Sequence, residues 1–84
     1  MDEPFVGEIM LFAFSSFVPQ GWLKCDGTVY NWQPYQALFA LIGNTYGGNA
    51  QQQTFAVPDL TGAEPDPHTM YCIAYQGIWP PRPY

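Results

Sequence analysis

The side chains best suited to acid–base or nucleophilic chemistry are few in this chain: one histidine, two cysteines and seven acids. A hydrolase needs a nucleophile, a base and a group that stabilises the oxyanion. His68 lies in a proline-rich stretch beside Thr69, where we expect an exposed loop residue rather than a general base. Neither Cys25 nor Cys72 adjoins a histidine that would lower its pKa. Lys24 adjoins Cys25, but neighbours on a strand point to opposite faces.

The carboxylates give no stronger pattern. Glu8, Asp26 and Asp59 are candidates for a catalytic pair by charge alone. Asp26 and Asp59 each stand at a turn, where bonds from the side chain to backbone amides are the ordinary expectation. Glu64 and Asp66, separated by a proline, are too few ligands for calcium. One histidine and no CxxC spacing do not suit zinc. We therefore expect no catalytic residues, no cofactor and no metal.

Cys25 and Cys72 allow two readings. They are either two buried thiols or one disulfide, and the disulfide is the expectation because a small domain outside the cytosol gains from a staple. A loop of that length would contribute about 4 kcal/mol in the chain-entropy model. That is a large share of the roughly 5–10 kcal/mol such a domain can have.

Aromatic rings are the remaining candidates for a site. Trp22, Tyr30, Trp32, Tyr46, Trp79 and Tyr84 could stack on sugar rings of a cell-surface glycan, or pack in the core and at contacts between copies. Composition favours the second use. Hydrophobic residues make up 48% of the chain and charged ones 11%, against roughly 25% charged in ordinary soluble domains. A chain of 84 residues forms one domain, and one this small buries only about 60–65% of its unfolded surface. Some apolar surface is therefore expected to be covered by another subunit.

The net charge of −5 leaves Lys24 and Arg82 as the only cations. Two cations cannot displace the counterions of a nucleic acid, so DNA and RNA are poor partners, and anionic membranes are disfavoured in the same way. No apolar run approaches the length of a membrane span. The run at 9–14 is too short for a signal-peptide core, and Asp2 and Glu3 precede it where basic residues would stand, so we recognise no signal peptide.

The elements that must position these residues read as follows. Residues 5–14 form a strand whose continuous apolarity suggests burial on both faces. Residues 22–25 and 28–30 form a hairpin across the turn signal Asp26-Gly27. The helix spans about 34–42, with Pro34 in its first turn, Tyr35, Leu38, Phe39 and Ile42 on one face, and Gly43 as its stop. Residues 54–57 and 70–76 are further strands, and 78–84 is a proline-rich tail favouring the polyproline II form. The fold class is α+β: a small antiparallel, β-rich domain with one short helix, residues 1–84 being a single unit. Pairing of the first and last apolar strands would tie both ends into the core.

Five blocks nearly fill this frame: GEIMLFAF (7–14), PQGWLKCDG (19–27), QALFALIGNTYGG (36–48), TFAVPDLTG (54–62) and YCIAYQGIWP (71–80). Their order and spacing resemble the phage tail collar domain, the fold of short tail fibres and of the microcystin-dependent proteins of bacteria. The resemblance runs over roughly residues 5–83. It implies a building block of surface appendages rather than an enzyme. Family members carry a longer, often histidine-containing insertion before the last strand, which in phage fibres faces the receptor and binds metal. Here only residues 63–70 stand in that place, and Thr61, Ala63 and Glu64 replace the usual basic residues. The receptor-binding apparatus of the family therefore does not carry over.

The expected function is a structural subunit that self-assembles into an extracellular fibre, a filament or a phage-tail-related appendage. Its partner is then itself, as a trimer or a filament, with the strand at 5–14 as an edge that could pair between copies. The alternative is an adhesin recognising surface glycans or a host receptor. Trp22, Trp32, Tyr46, Trp79 and Tyr84 are the candidate contacts for either. The location expected is an extracellular appendage or a virion.

Overall fold

The computed structural model describes residues 3–80, and Gly7 sets its first strand. Glu8 N–H donates to Phe5 O at 3.0 Å, closing a turn with Gly7 in third place at a φ of 87°. A type II turn requires that positive φ there, and glycine adopts it without strain. Gly7 N–H then donates to Ala74 O at 2.8 Å, and Ala74 N–H to Glu8 O at 2.9 Å. Two residues thus oppose one, which is a glycine-led bulge. The chain leaves it as β1 (Ile9–Phe12).

The other strands are β2 (Trp22–Lys24), β3 (Val29–Asn31), β4 (Thr54–Ala56) and β5 (Met70–Ala74). β5 lies between β1 and β2, antiparallel to both. Ile73 faces Ile9 on one side and Leu23 on the other. β3 and β4 form a separate antiparallel pair. The first and last apolar strands do pair, as their composition suggests.

The expected hairpin at 22–30 is not formed. β2 pairs with β5 and β3 with β4, so Asp26-Gly27 is the corner where the chain crosses between sheets. Asp26 Oδ1 accepts from Thr28 N–H at 3.1 Å. Beyond it the backbone turns to the opposite loop: Leu60 N–H donates to Cys25 O at 2.9 Å and Val57 N–H to Thr28 O at 3.2 Å. An aspartate that bonds its own backbone makes a bend equally well at a corner or in a hairpin, so the dipeptide marks the bend and not the partner.

The expected strand at 5–14 is shorter, and it is not buried on both faces. Ile9, Met10 and Leu11 are 40%, 43% and 39% exposed. As an outer strand, β1 has a neighbour on one side only.

The helix starts as a 3₁₀ turn, Gln33–Tyr35, and continues as α1 (Gln36–Ile42). Leu38 is fully buried, while Tyr35, Phe39 and Ile42 pack half-buried against the same core. Gly43 N–H donates to Phe39 O at 2.8 Å and ends the helix. So short a helix has no stability of its own and is held by docking that face. The core beneath it joins Val6, Leu23, Cys25, Leu38, Phe55, Val57 and Ile73.

After α1, Asn44 Nδ2 donates to Gly47 O at 3.1 Å and to Thr54 O at 2.7 Å, tying the helix exit to β4. Gly48 passes so close that a Cβ there would sit 2.5 Å from Phe55 Cα. The GNTYGG stretch thus lets the loop lie directly on a core strand.

Met70, Cys72 and Ala74 are also fully buried, but alternation turns them to the face away from the main core. Their cross-strand partners Phe12 and Trp22 meet edge to face with ring centroids 5.1 Å apart. Phe14 and Phe17, stacked at 4.9 Å, continue this aromatic row. The central sheet is therefore covered on both sides.

At the chain ends Val6 N–H donates to Ile78 O, and Ile78 N–H to Pro4 O, each at 2.9 Å. The start of the proline-rich segment is thereby held against residues 4–6. Residues 81–84, with Tyr84 and the polyproline II expectation for that end, lie outside the described residues.

Candidate functional site

The groups weighed for chemistry are held apart. His68 Nδ1 lies 3.1 Å from Asp66 Oδ1, and its side chain is 89% exposed. Asp66 Oδ1 also accepts from His68 N–H at 2.8 Å, and Thr69 Oγ1 donates to Asp66 O at 2.6 Å. These bonds organise a surface turn. Asp26 and Asp59 do approach, across an isolated antiparallel bridge. Each carboxylate is nevertheless spent on backbone: Asp26 on Thr28 N–H, and Asp59 on Thr61 N–H at 3.1 Å. Glu8 Oε1 accepts from Phe5 N–H at 3.1 Å and Glu64 Oε1 from Gly62 N–H at 2.7 Å. Among the described residues no three His, Cys, Asp or Glu side chains are placed to hold a metal ion. Nor is any helix among them long and apolar enough to cross a membrane.

Cys25 and Cys72 are both free and buried, so the structure gives the expected disulfide no support. Lys24 pairs with Cys72 in the ladder, and Cys25 N–H donates to Tyr71 O at 2.9 Å. Alternation then sends the Cys25 thiol into the main core with Leu23 and Ile73, and the Cys72 thiol to the other face. Side chains that diverge in this way cannot be bridged without moving the backbone. Burial pushes the Cys25 thiol up from 9.0 to about 12, with the charges of Cys72 and Asp26 adding to it. Burial also raises the Cys72 thiol, against a smaller opposite pull from Lys24. Neither sulfur is an activated nucleophile.

The aromatic candidates separate into packed and open ones. Trp32 is half-buried, tilted against Phe39 at 6.0 Å, and belongs to the core rim. Tyr46 and Trp79 are 52% and 46% exposed. Trp22 is half-buried with its ring against Phe12 on the face away from the main core, and the open cleft of about 390 Å³ that this residue borders holds Tyr30, Tyr35 and Tyr75. Tyr35 meets Tyr30 and Tyr75 edge to face at 5.4 and 4.9 Å. Lys24 and Asp26 stand at the same cleft. Burial first, then the nearby Asp26 charge, raises the Tyr30 phenol. Sequence reasoning did not bring Tyr35 and Tyr75 to this place. Tyr35 reads as a core-facing helix residue and Tyr75 as part of the last strand, and only the packing of the 3₁₀ turn against the end of the last strand unites them.

Apolar surface is the largest open feature. Phe17 is 62% exposed, Val29 55% and Ile78 47%. Phe5, Val6, Leu41, Ile42 and Pro80 line a wide groove of about 680 Å³.

A small domain of two short sheets and one docked helix, its carboxylates tied to turns and its thiols buried, is built as a structural module. The model of the phage tail collar domain matches residues 7–65, well over half of the chain, and the protein belongs to that family. The match takes in β1 to β4 and the corner at Asp26-Gly27. No curated protein and no solved structure matches the chain. The family is a structural one, which gives the protein a role in phage tail fibres, in association with other tail proteins and with the virion.

Proposed function

We propose that the protein is a non-enzymatic subunit whose copies associate through uncovered apolar surface into a fibre, a filament or a tail-related appendage outside the cell. The observation that carries this reading is the exposure of large hydrophobic side chains on a domain with few charges. Phe5, Ile9, Met10, Leu11, Phe17 and Val29 each leave 39% or more of their surface open. Such side chains, on a chain with so few charges, support a surface that another chain covers. Sedimentation velocity with negative-stain imaging tests the reading. Species larger than a monomer, growing with concentration, are expected; a lone monomer at high concentration overturns it.

A second reading has its own observation. The cleft of Tyr30, Tyr35 and Tyr75 offers ring edges bordered by Asp26. Aromatic platforms flanked by a few polar groups suit a sugar of a cell-surface glycan or host receptor. Retention on a glycan array, abolished by Tyr75→Ala in a variant that keeps its thiols protected, supports this adhesin role. Tyr46 and Trp79, exposed elsewhere, would then be unaffected by the ligand.

A further inference from the structure

The two outer strands of the three-stranded sheet are finished differently. In an antiparallel ladder, successive residues direct their N–H and C=O groups alternately to either side. Ala74 bonds to the bulge at Gly7 and Glu8, whereas Tyr75 N–H donates to Gly21 O at 3.0 Å and Cys25 N–H to Tyr71 O at 2.9 Å. This sets the alternation. Met10 and Phe12 bond inward to β5, so Ile9 and Leu11 turn their N–H and C=O groups outward.

On β2 the outward residues are Trp22 and Lys24. Trp22 N–H is taken by Pro19 O at 3.2 Å, and Lys24 O by Asp26 N–H at 3.0 Å. The Lys24 charge guards the same edge. β1 has no such guard. Its side chains are Ile9, Met10, Leu11 and Phe12, the first three about two-fifths exposed, with no proline or charge among them. The flanking Glu8 carboxylate is turned back to Phe5 N–H at 3.1 Å.

Resting on the self-association reading, we infer that β1 pairs antiparallel with β1 of a second copy, about a two-fold axis through Met10. Two three-stranded sheets thereby join into one of six strands. The occupant follows from the strand itself. An antiparallel copy presents its Leu11 opposite Ile9 and its Ile9 opposite Leu11, so every outward N–H meets an outward C=O. A chain of net charge −5 repels its copies over most of its surface, and the four residues of β1 bring no charge to the contact, the flanking Glu8 carboxylate being held on its own Phe5 N–H. The β2 edge of another copy is a poorer partner, since Trp22 N–H and Lys24 O are already taken there. The register follows from the two outward residues: with Met10 on the axis Ile9 and Leu11 each find the other, and Glu8 falls opposite Phe12. Such a contact is isologous and closes on itself, so fibre growth from these dimers uses a different surface.

Oxidative cross-linking of Met10→Cys tests the pairing. In this register the substituted positions face each other as a non-hydrogen-bonded pair, with Cα atoms about 4.5 Å apart, inside disulfide range. A covalent dimer is expected to form at least tenfold faster than from Gln36→Cys on the exposed side of α1. If Met10→Cys is no faster while the protein still sediments as larger species, the edge pairing is wrong and self-association stands. If only monomer sediments, both fall. Leu11→Lys is the second variant, placing on β1 the kind of charge that β2 carries. It is expected to raise the dimer dissociation constant at least tenfold, with Cys25 and Cys72 still protected as the sign of an intact fold. An unchanged dissociation constant overturns the proposal.

Discussion

Cys25 and Cys72 belong to neighbouring rungs of one ladder and point to opposite faces of the sheet. Cys25 N–H is bonded to Tyr71 O at 2.9 Å, one residue from Cys72, yet its sulfur lies in the main core. The Cys72 sulfur lies on the far face, among Met70 and Ala74.

The first prediction concerns their reactivity. Both thiols are buried and free, and thiolate is the species that reacts. In the native protein at neutral pH neither should be alkylated on the timescale that labels an exposed cysteine. In denaturant without reductant both should be labelled at once. Intact-mass measurement reads the result, and a native mass short by the two hydrogens of a disulfide would refute it.

A second prediction concerns alkaline pH. The Cys25 thiol is raised from 9.0 to about 12, and the Cys72 thiol and Tyr30 phenol are raised as well. Between those values the folded protein holds protons that the unfolded chain releases, so stability falls as pH rises. The contribution is fully present below about pH 9 and is lost as pH climbs toward 12. Each such group can steepen the loss by about 1.4 kcal/mol per pH unit. Urea midpoints measured from pH 8 to 11 should decline, and Cys25→Ala should flatten the decline. A wild-type curve that is level to pH 11 would contradict this.

Third, Gly48→Ala should destabilise strongly. The residue has a φ of 92°, and an added Cβ would lie 2.5 Å from Phe55 Cα and 2.6 Å from Thr54 O. Backbone strain alone costs about 1–3 kcal/mol, and Phe55, at the centre of the core, cannot shift freely. A fall in Tm of roughly 10 °C or more is expected for a domain of this size. Gly62→Ala has a similar φ of 93° but nothing within 4 Å of the added carbon, and should cost less. Equal losses at the two sites would show that the close approach to β4 is unimportant.

Fourth, association should strengthen with salt. Copies of net charge −5 repel, and the Debye length shortens from about 10 Å at 0.1 M to about 3 Å at 1 M. Apolar contacts do not weaken over that range. Sedimentation at rising sodium chloride should show larger species, whereas dissociation by salt would mean that ion pairs hold the contact.

The elements whose signals act over a few residues were legible along the chain. Tyr35, Leu38, Phe39 and Ile42 mark one helical face with Gly43 as its end, and the structure docks that face with Leu38 fully buried. Asp26 and Asp59 read as turn residues, and each does accept a backbone N–H two positions on. The ordered blocks from GEI to PDLTG were enough to identify the collar family. Strand partnership was decided only by the tertiary structure, because it depends on residues far apart in the chain and a bend looks the same whichever sheet follows it. That choice sends β2 to β5 and β3 to β4, parts the two thiols across a sheet, gathers Tyr30, Tyr35 and Tyr75, and leaves β1 with an open edge.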